Sequence, residues 1–573
     1  MNRLLLFALL VVGLLAAATS VSAGAAGDAA APPNPSCRPP DGEPVTGCLP
    51  GGLGLSGVAA ATAPSIPSVL DHPAGACTPV QGTDDRCEAW TATYDDPDVA
   101  TGSHQFPSGL ALSPDGRVAY AALMDTAFDA GNPYDTKSRW AVVATDVATG
   151  EPRWVARWGA PDAYSFPAAV AVSPDGATVY VAGSTRPAQG DIDSHLRVIA
   201  FAASTGDVRW IGTYDGPGGG VDNAMGLVVS ADGARVFAAV VSDSNPGMNG
   251  EYPAEDLDIA VVGYDTATGA QVWASRYAGP KKDGVDSPFG FGISPDGTAV
   301  FVTGWSYIGD DYDVDYATIA YDAATGKQRW VARYDGVGIH GADEPFGLAV
   351  SSDGRRVYVT GMSNDGTVPF AVNYRYGTVA YDAATGAQLW EASYHPAGWS
   401  FSSPFQIVVS PTGDRVFVTG ELSSSQVLVG TPRVGTADTN FGTVAYDGAT
   451  GHQLWSAEFG TPQFDFEFGI DVASSPDGGT AYVTGVSSSS KSQYALLGSG
   501  QLADQVTLAY DGATGAQRWV ARLNMTGYDF DIGKGVAVTP DGGTVVTLSE
   551  LDHQIAQNDN TYDVGLAAYR TAG

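Results

Sequence analysis

Aspartates recur at fixed places along this 573-residue sequence, and several of them could bind a metal ion. In the segment Asp311-Tyr-Asp313-Val-Asp315 every second residue is acidic, which places three carboxylates on one face if the segment is extended. Carboxylate oxygens are ligands that Ca²⁺ prefers. The segment is not an EF-hand loop, because it lacks the Gly at the sixth position and the Glu at the twelfth. It predicts a Ca²⁺ site formed by Asp311, Asp313 and Asp315, although a repeated Asp can also cap a turn.

A second set of acidic residues lies eight positions before the Ser or Thr that opens a recurring Gly turn. If the strand between them lines a central channel, we expect these carboxylates to form a partial ring at its mouth. Further aspartates, among them Asp193, Asp256 and Asp258, fall in loops on the same side. The pattern is compatible with structural roles, with Ca²⁺ binding and with catalysis. The expected ring consists of Asp222, Asp286, Asp343, Glu467 and Asp531.

The sequence contains no motif of a common catalytic centre. It has no Gly-x-Ser-x-Gly elbow, no His-Glu-x-x-His motif and no Walker loop. Of the seven histidines, His104, His340 and His395 fall in loops on the acidic side, and none has a second His at ligand spacing. The sequence therefore names no catalytic residue and no cofactor site, and it favours a binding protein over an enzyme. A polysaccharide lyase or hydrolase that uses Asp, His and Tyr side chains of these loops is a further alternative.

Eight tryptophans, spaced 56 to 65 residues apart, indicate the elements that would position these acids. Seven of them stand four residues after the Gly that ends a turn, as Trp390 does after Gly386. A fixed period of this length is typical of repeat folds. We predict that each of these indoles packs flat against the neighbouring repeat. The eight residues are Trp90, Trp154, Trp210, Trp273, Trp330, Trp390, Trp455 and Trp519.

Each repeat contains four short segments rich in Val, Tyr, Thr and Trp, a composition typical of β-strands. In one repeat they are 346–350, 356–360, 376–381 and 388–394, and Asp/Gly turns follow the first and the third. The last repeat ends after its third segment, and the stretch from Trp90 to Tyr94 supplies a fourth. The sequence predicts an all-β fold over residues 88–573. This fold is an eight-bladed β-propeller of four-stranded antiparallel blades, in a ring closed by the N-terminal strand, which completes the last blade.

One repeat carries motifs of known propeller families. Ala380-Tyr-Asp-Ala-Ala-Thr-Gly386, followed by Trp390, resembles the tryptophan-docking motif of propellers of the pyrroloquinoline-quinone (PQQ) type. Val357-Tyr-Val-Thr-Gly-Met-Ser363 is similar to the SBBP and YVTN-like repeats of exported bacterial propellers. The resemblance covers about residues 88–573, and it implies the propeller fold and, as an alternative function, a PQQ-like quinoprotein oxidoreductase. PQQ dehydrogenases use an adjacent Cys–Cys pair against the cofactor, and this sequence has no such pair.

The N-terminal residues differ in composition from the repeats. Residues 1–23 combine Arg3, an apolar run and small residues before Gly24, which predicts a cleaved signal peptide; a retained anchor is the alternative. Residues 24–87 are rich in Ala, Pro and Gly, a composition that favours little ordered structure. After export, pairs of cysteines are expected to form disulfides. A zinc site is the weaker alternative. We favour the pairings Cys37–Cys48 and Cys77–Cys87, which close the shortest loops.

The formal net charge of −35 argues against a nucleic-acid partner, whose phosphates would be repelled. No second apolar run of membrane-spanning length follows the predicted signal peptide. The sequence therefore predicts an exported binding or scaffold module. A protein, peptide or glycan partner would bind the acidic loops on the channel side, with Ca²⁺ as a candidate ligand. Specificity would lie in the long loops 243–256, 423–440 and 487–504.

Overall fold

The chain divides into two compact units, residues 1–65 and 66–573, and every residue described below belongs to the second. The predicted signal peptide, the four cysteines and Asp311 lie outside the described residues. No helix among the described residues is long and apolar enough to cross a membrane. The computed structural model describes residues 88–94, 104–129, 132–159, 163–187, 193–217, 219–243, 256–282, 284–309, 313–336, 341–364, 374–424, 438–460, 466–488, 503–525, 530–556 and 559–571.

The described chain is built of β-strands, which pair in antiparallel groups of four. We number these groups in chain order. Strand β1 spans Trp90–Tyr94. Group 1 consists of β2 His104–Leu112, β3 Val118–Asp129, β4 Asn132–Asp146 and β5 Pro152–Trp158. Group 2 consists of β6 Ala163–Val172, β7 Thr178–Pro187, β8 His195–Ala202 and β9 Val208–Tyr214. Group 3 consists of β10 Asp222–Val229, β11 Arg235–Asp243, β12 Leu257–Asp265 and β13 Gln271–Tyr277. Group 4 consists of β14 Asp286–Ile293, β15 Ala299–Tyr307, β16 Val314–Asp322 and β17 Gln328–Tyr334.

The second half of the chain repeats this arrangement. Group 5 consists of β18 Glu344–Val350, β19 Arg356–Asn364, β20 Tyr374–Asp382 and β21 Gln388–Tyr394. Group 6 consists of β22 Phe401–Val409, β23 Arg415–Ser423, β24 Thr439–Asp447 and β25 Gln453–Phe459. Group 7 consists of β26 Phe466–Ser474, β27 Thr480–Ser488, β28 Ala503–Asp511 and β29 Gln517–Leu523. Group 8 consists of β30 Phe530–Val538, β31 Thr544–Ala556 and β32 Asp559–Arg570, with β1 paired antiparallel to β32 from Trp90↔Ala568 to Tyr94↔Val564.

Groups 2 to 5 are separate four-stranded sheets. Single parallel pairings such as Thr439↔Phe466 and Ala503↔Phe530 join the remaining groups edge to edge into one sixteen-stranded sheet. The predicted all-β fold of four-stranded antiparallel sheets is confirmed. Within a group, both short Gly turns lie at one end of the strands, which we call the turn end. The longer connections lie at the opposite end, which we call the loop end.

Aspartates at the turn end hold the tight turns together. In the turn after β18, the Ser351 hydroxyl donates to Asp353 Oδ1 (2.6 Å), and this bond is the main reason that the pKa of Asp353 lies below its ordinary value. In the turn after β20, Asp382 Oδ1 accepts the backbone N–H and the hydroxyl of Thr385 (2.9 and 2.8 Å). Polar groups within a turn have no neighbouring strand to bond to, and these carboxylates accept their hydrogen bonds. The recurrence of Asp in the turns therefore has a structural cause.

Tryptophans of the fourth strands connect each group to the next. The Trp330 indole N–H donates to the Ala383 carbonyl of group 5 (3.0 Å), and the indole lies over Gly386 of the same turn. Equivalent bonds run from Trp90, Trp154, Trp210, Trp273, Trp390 and Trp455 to the carbonyl three residues before the turn Gly of the following group. The Trp519 ring lies 6.0 Å from that of Tyr569 in group 8. The seven hydrogen bonds satisfy the only donor of each of these indoles, and all eight tryptophans except Trp210 are buried.

Replacing Gly386 with Ala tests this contact. Gly386 has a φ of 74°, and a Cβ there would lie 2.7 Å from the Trp330 ring. We expect Gly386→Ala to lower the free energy of unfolding by about 2–4 kcal/mol, because left-handed backbone strain adds to overpacking.

Gly219→Ala is the matched control for this variant. Its φ is 60°, but no atom lies within 4 Å of the added Cβ, so only the backbone cost of about 1–2 kcal/mol applies. Thermal unfolding midpoints of both variants measure the difference. Equal losses would show that the indole contact does not constrain this position.

Candidate functional site

The five acids of the expected ring lie at the loop ends of different groups, and their side chains are buried. Four of them accept a backbone N–H from the loop that leads into their own strand, as Asp222 does from Gly216 (2.6 Å) and Asp531 from Met525 (2.8 Å). The equivalent donors to Asp286 and Asp343 are Gly279 and Gly336. Glu467 Oε1 accepts the hydroxyl of Ser487 (2.7 Å), as Asp222 Oδ1 accepts that of Ser242. The four aspartates therefore brace the connections between groups.

Burial raises the pKa of these aspartates from the ordinary value of 3.8. The pKa is about 6 in Asp222 and Asp286, about 7 in Asp343 and about 8 in Asp531. Hydrogen bonds from the loop N–H groups favour the charged form, but they do not offset the loss of hydration. Burial therefore favours the protonated form of these carboxyls, which is a poorer cation ligand than the ionised form.

The residues of the predicted Ca²⁺ segment are only partly described. Asp313 directly precedes β16, Asp315 lies within it, and Asp311 is outside the described residues. The carboxylate of Asp315 pairs with Arg333, with 3.3 Å between Oδ2 and Nε, and the same guanidinium donates to Tyr277 Oη (2.8 Å). Burial raises the pKa of Asp315 to about 6, and Arg333 opposes this shift. The positive charge of Arg333 therefore lies beside Asp315, one of the three predicted Ca²⁺ ligands.

The same ion pair occurs one group earlier. Arg276 binds Asp258 there, with 3.1 Å between Nη2 and Oδ2, and it also donates to the Ser242 carbonyl. Ser242, Asp258 and Arg276 belong to β11, β12 and β13, so each such guanidinium ties three strands together at the loop end. The arginine directly precedes the last Tyr of the fourth strand in both groups.

Group 2 carries different residues at these positions. The strand register places His195 where groups 3 and 4 have Asp258 and Asp315, and Thr213 where they have arginine. His195 Nε2 lies 3.7 Å from Asp193 Oδ2, and its Nδ1 lies 3.7 Å from Asp215 Oδ1. One ligand atom from each of the three residues lies within 4.8 Å of the other two. The sequence analysis named Asp193 only as a loop acid and did not name His195 or Asp215.

A second arrangement that sequence reasoning missed is a buried ion pair in group 8. Lys534 Nζ lies 3.2 Å from Glu550 Oε2, and both side chains are less than 8% exposed. Burial lowers the pKa of Lys534 and raises that of Glu550, while each charge opposes the shift of the other. Lys534 is the bulged residue of β30, between Gly533 and Gly535. The signal in the sequence is a lysine between two glycines of a mostly apolar strand.

The histidines that the sequence analysis placed in loops are not gathered into one site. His104 belongs to β2 and lies against the Tyr562 ring (5.2 Å between centroids). His395 Nδ1 is 3.1 Å from the Ser402 hydroxyl in the connection between groups 5 and 6. His340 lies outside the described residues. His104 and His395 therefore take part in separate contacts. Among the described histidines, only His195 belongs to a group of possible metal ligands.

Residues 115–244 and 258–438 match the family of PQQ-like repeats described as "Outer membrane protein assembly factor BamB". These two stretches make up more than half of the sequence. The chain belongs to this PQQ-like propeller repeat family. The resemblance to PQQ-type propellers that the tryptophan motif indicated is thereby confirmed. No curated protein matches the sequence significantly.

Solved structures with similar folds include proteins of unrelated roles. Sqt1 from Chaetomium thermophilum, in a structure bound to the N-terminus of ribosomal protein L10, is 14% identical with a TM-score of 0.50, over 84% of this chain and 98% of that chain. The quinohemoprotein alcohol dehydrogenase from Comamonas testosteroni is 13% identical with a TM-score of 0.47, over 86% of this chain and 77% of that chain. At such identities the likeness concerns the fold alone.

The raised pKa of Asp531 predicts how stability depends on pH. Between about pH 4 and pH 8 the folded protein keeps a proton on this carboxyl that the unfolded chain has lost. Stability therefore falls as the pH rises through this window. Asp531→Asn removes the titration while keeping an oxygen acceptor for Met525 N–H. We expect its unfolding midpoint, relative to wild type, to rise between pH 5 and pH 8.

Asp511→Asn provides the control for this experiment. The hydrogen bond from Arg518 (2.8 Å) is the main cause that holds the pKa of Asp511 at about 2. The stabilisation from this group is therefore fully present above about pH 4 and is lost only as the pH falls towards 2. Its difference from wild type should be constant between pH 5 and pH 8. Parallel pH profiles for wild type and Asp531→Asn would contradict the prediction.

Proposed function

We propose that the eight groups form an eight-bladed ring and that the protein is an exported binding or scaffold module. Contacts between the first and last groups support closure. The Trp90 indole in group 8 donates to the Val147 carbonyl in group 1 (2.9 Å), as the other indoles do between successive groups. Gly116 of group 1 packs on Pro540 of group 8, and Gly176 packs in the same way on Pro114 of group 1. Export rests on the signal peptide that residues 1–23 predict.

The observation that carries the binding proposal is the bracing of the loop end by buried aspartates. Asp222, Asp286, Asp343 and Asp531 each fix the backbone of an incoming connection. The turn end repeats the same short turns, whereas the loop-end connections differ in length and sequence. Variable loops on a rigid base are the usual place for recognition. We therefore assign the loop end as the binding face.

The partner that we propose is a protein, peptide or glycan. The formal charge of −35 favours a basic peptide, or a glycan bound through a cation such as Ca²⁺. The fold is able to present a peptide site, since Sqt1, of similar fold, is described as bound to the N-terminus of a ribosomal protein. A PQQ-like oxidoreductase is the alternative, and the experiment below distinguishes it.

The test is a binding screen of the mature protein against peptide and glycan arrays, with and without Ca²⁺. A variant in which loops 243–256, 423–440 and 487–504 are exchanged for short Gly/Asn turns is screened in parallel. We expect the wild-type protein to bind a defined peptide or glycan, and the exchange to weaken this binding at least about tenfold, because hot spots concentrate in few residues.

Arg355→Ser, which changes an exposed side chain at the turn end, is the matched control and should leave binding intact. If binding persists after the loop exchange, the loop end is not the recognition face. The same preparation is titrated with PQQ in the presence of Ca²⁺. Stoichiometric PQQ binding together with dye-linked alcohol oxidation would overturn the binding-module proposal in favour of a quinoprotein oxidoreductase.

A further inference from the structure

We propose that Asp193, His195 and Asp215 bind one divalent transition-metal ion, for which Zn²⁺ is the best fit. Asp193 and His195 stand at the beginning of β8, and Asp215 directly follows β9. All three lie at the loop end of group 2. The site is independent of the partner proposed above, because it rests on these three side chains and not on the exchanged loops.

The three side chains are close enough to share one ion if they move towards it. Two donors bound about 2.1 Å from one ion lie about 3.4 Å apart at a tetrahedral angle. Nε2 of His195 lies 3.7 Å from Asp193 Oδ2, and Nδ1 lies 3.7 Å from Asp215 Oδ1. An ion binds only one of these nitrogens, and with one donor atom from each residue the three donors lie within 4.8 Å of one another. The Asp215 side chain is 59% exposed, so it is able to move towards the other two donors. Its exposure also leaves one side of the ion open to water or to a ligand.

The absence of an arginine at position 213 distinguishes this site from its equivalents. In groups 3 and 4 a guanidinium neutralises the loop-end carboxylate, through Arg276 and Arg333. Group 4 shows the contrast most clearly, since it has Asp313, Asp315 and Asp335 at the three equivalent positions and Arg333 beside them. Group 2 has Thr213 in place of the arginine and an imidazole in place of the central carboxylate. Position 213 therefore supplies no positive charge to the carboxylates of group 2.

The chemical types of the three donor groups indicate which metal ions would bind here. One imidazole and two carboxylates suit Zn²⁺, Mn²⁺ or Co²⁺, whereas Ca²⁺ prefers six or more oxygen ligands. Two ionised carboxylates would balance the charge of a divalent ion. Arg197 is a further positive charge that acts on Asp215, but its guanidinium is turned to the Leu196 carbonyl (3.3 Å). The Nδ1 atom of His195 is buried and has no hydrogen-bond partner among the described residues.

The experiment measures metal binding to the mature full chain after removal of metals with EDTA. Titration with Zn²⁺ by calorimetry, and with Co²⁺ by visible absorption, should show one ion per chain. His195→Ala and Asp215→Asn should each weaken binding at least about tenfold, since even ligand-supporting residues have effects of this size. Thr213→Arg should also abolish binding, because it restores the guanidinium of groups 3 and 4 without removing a ligand.

Asp335→Asn is the matched control, because it removes the equivalent carboxylate of group 4 and should leave Zn²⁺ affinity unchanged. Unfolding midpoints without metal show whether each variant is folded. Absence of Zn²⁺ and Co²⁺ binding by the wild-type chain would overturn the site. Binding that is equally tight in His195→Ala and Asp215→Asn would overturn it as well, because the ion would then be held elsewhere, as by the four cysteines. Neither result bears on the peptide or glycan partner.

Discussion

The contact between a fourth-strand indole and the turn of the next group is the interaction on which the fold depends. The middle strands of these sheets are buried on both faces, and two neighbouring twisted sheets leave a wedge-shaped space between them. The indole fills this wedge, and its N–H finds a carbonyl in the adjacent turn, as in Trp330 to Ala383 (3.0 Å). A bulkier residue than Gly at the end of that turn would collide with the ring. Trp and the turn Gly therefore recur with the same period in the sequence, because each contact needs both residues.

At the loop ends, irregular connections between the strands have no regular hydrogen-bond ladder to hold them. The chain places buried carboxyls there, and their hydrogen bonds to loop N–H groups offset part of the cost of burial. Arg276 and Arg333 extend this polar layer across three strands each. Because such networks are stable only when every member has a partner, a change at one position demands a change at another. In group 2, Thr213 and His195 stand in place of the Arg and Asp of groups 3 and 4.

The sequence predicted the repeating features well, and it predicted the features that break the repeat poorly. Strand composition, Asp/Gly turns and the spacing of Trp indicated four-stranded antiparallel sheets without any knowledge of contacts. The acids of the first strands were recognised as a set, but their hydrogen bonds to the preceding loops depend on how each connection folds back. The sequence predicts Asp315 as a cation ligand, and it does not show the ion pair with Arg333, which is eighteen residues away and visible only in the strand register. Lys534 and Glu550, which belong to different strands, were missed for the same reason.

A repeat fold of this kind separates the residues that stabilise it from those that can acquire a specific role. Residues that recur in most groups, such as the turn aspartates and the docking tryptophans, are explained by contacts that the repeated unit needs. His195 differs from the carboxylates Asp258 and Asp315 that occupy its position in groups 3 and 4, whereas Asp215 has a counterpart in Asp335 of group 4. One ligand atom of His195 lies within 4.8 Å of those of Asp193 and Asp215. No motif in the sequence indicates this cluster, because its residues stand at the ends of two neighbouring strands and only the strand register brings them together.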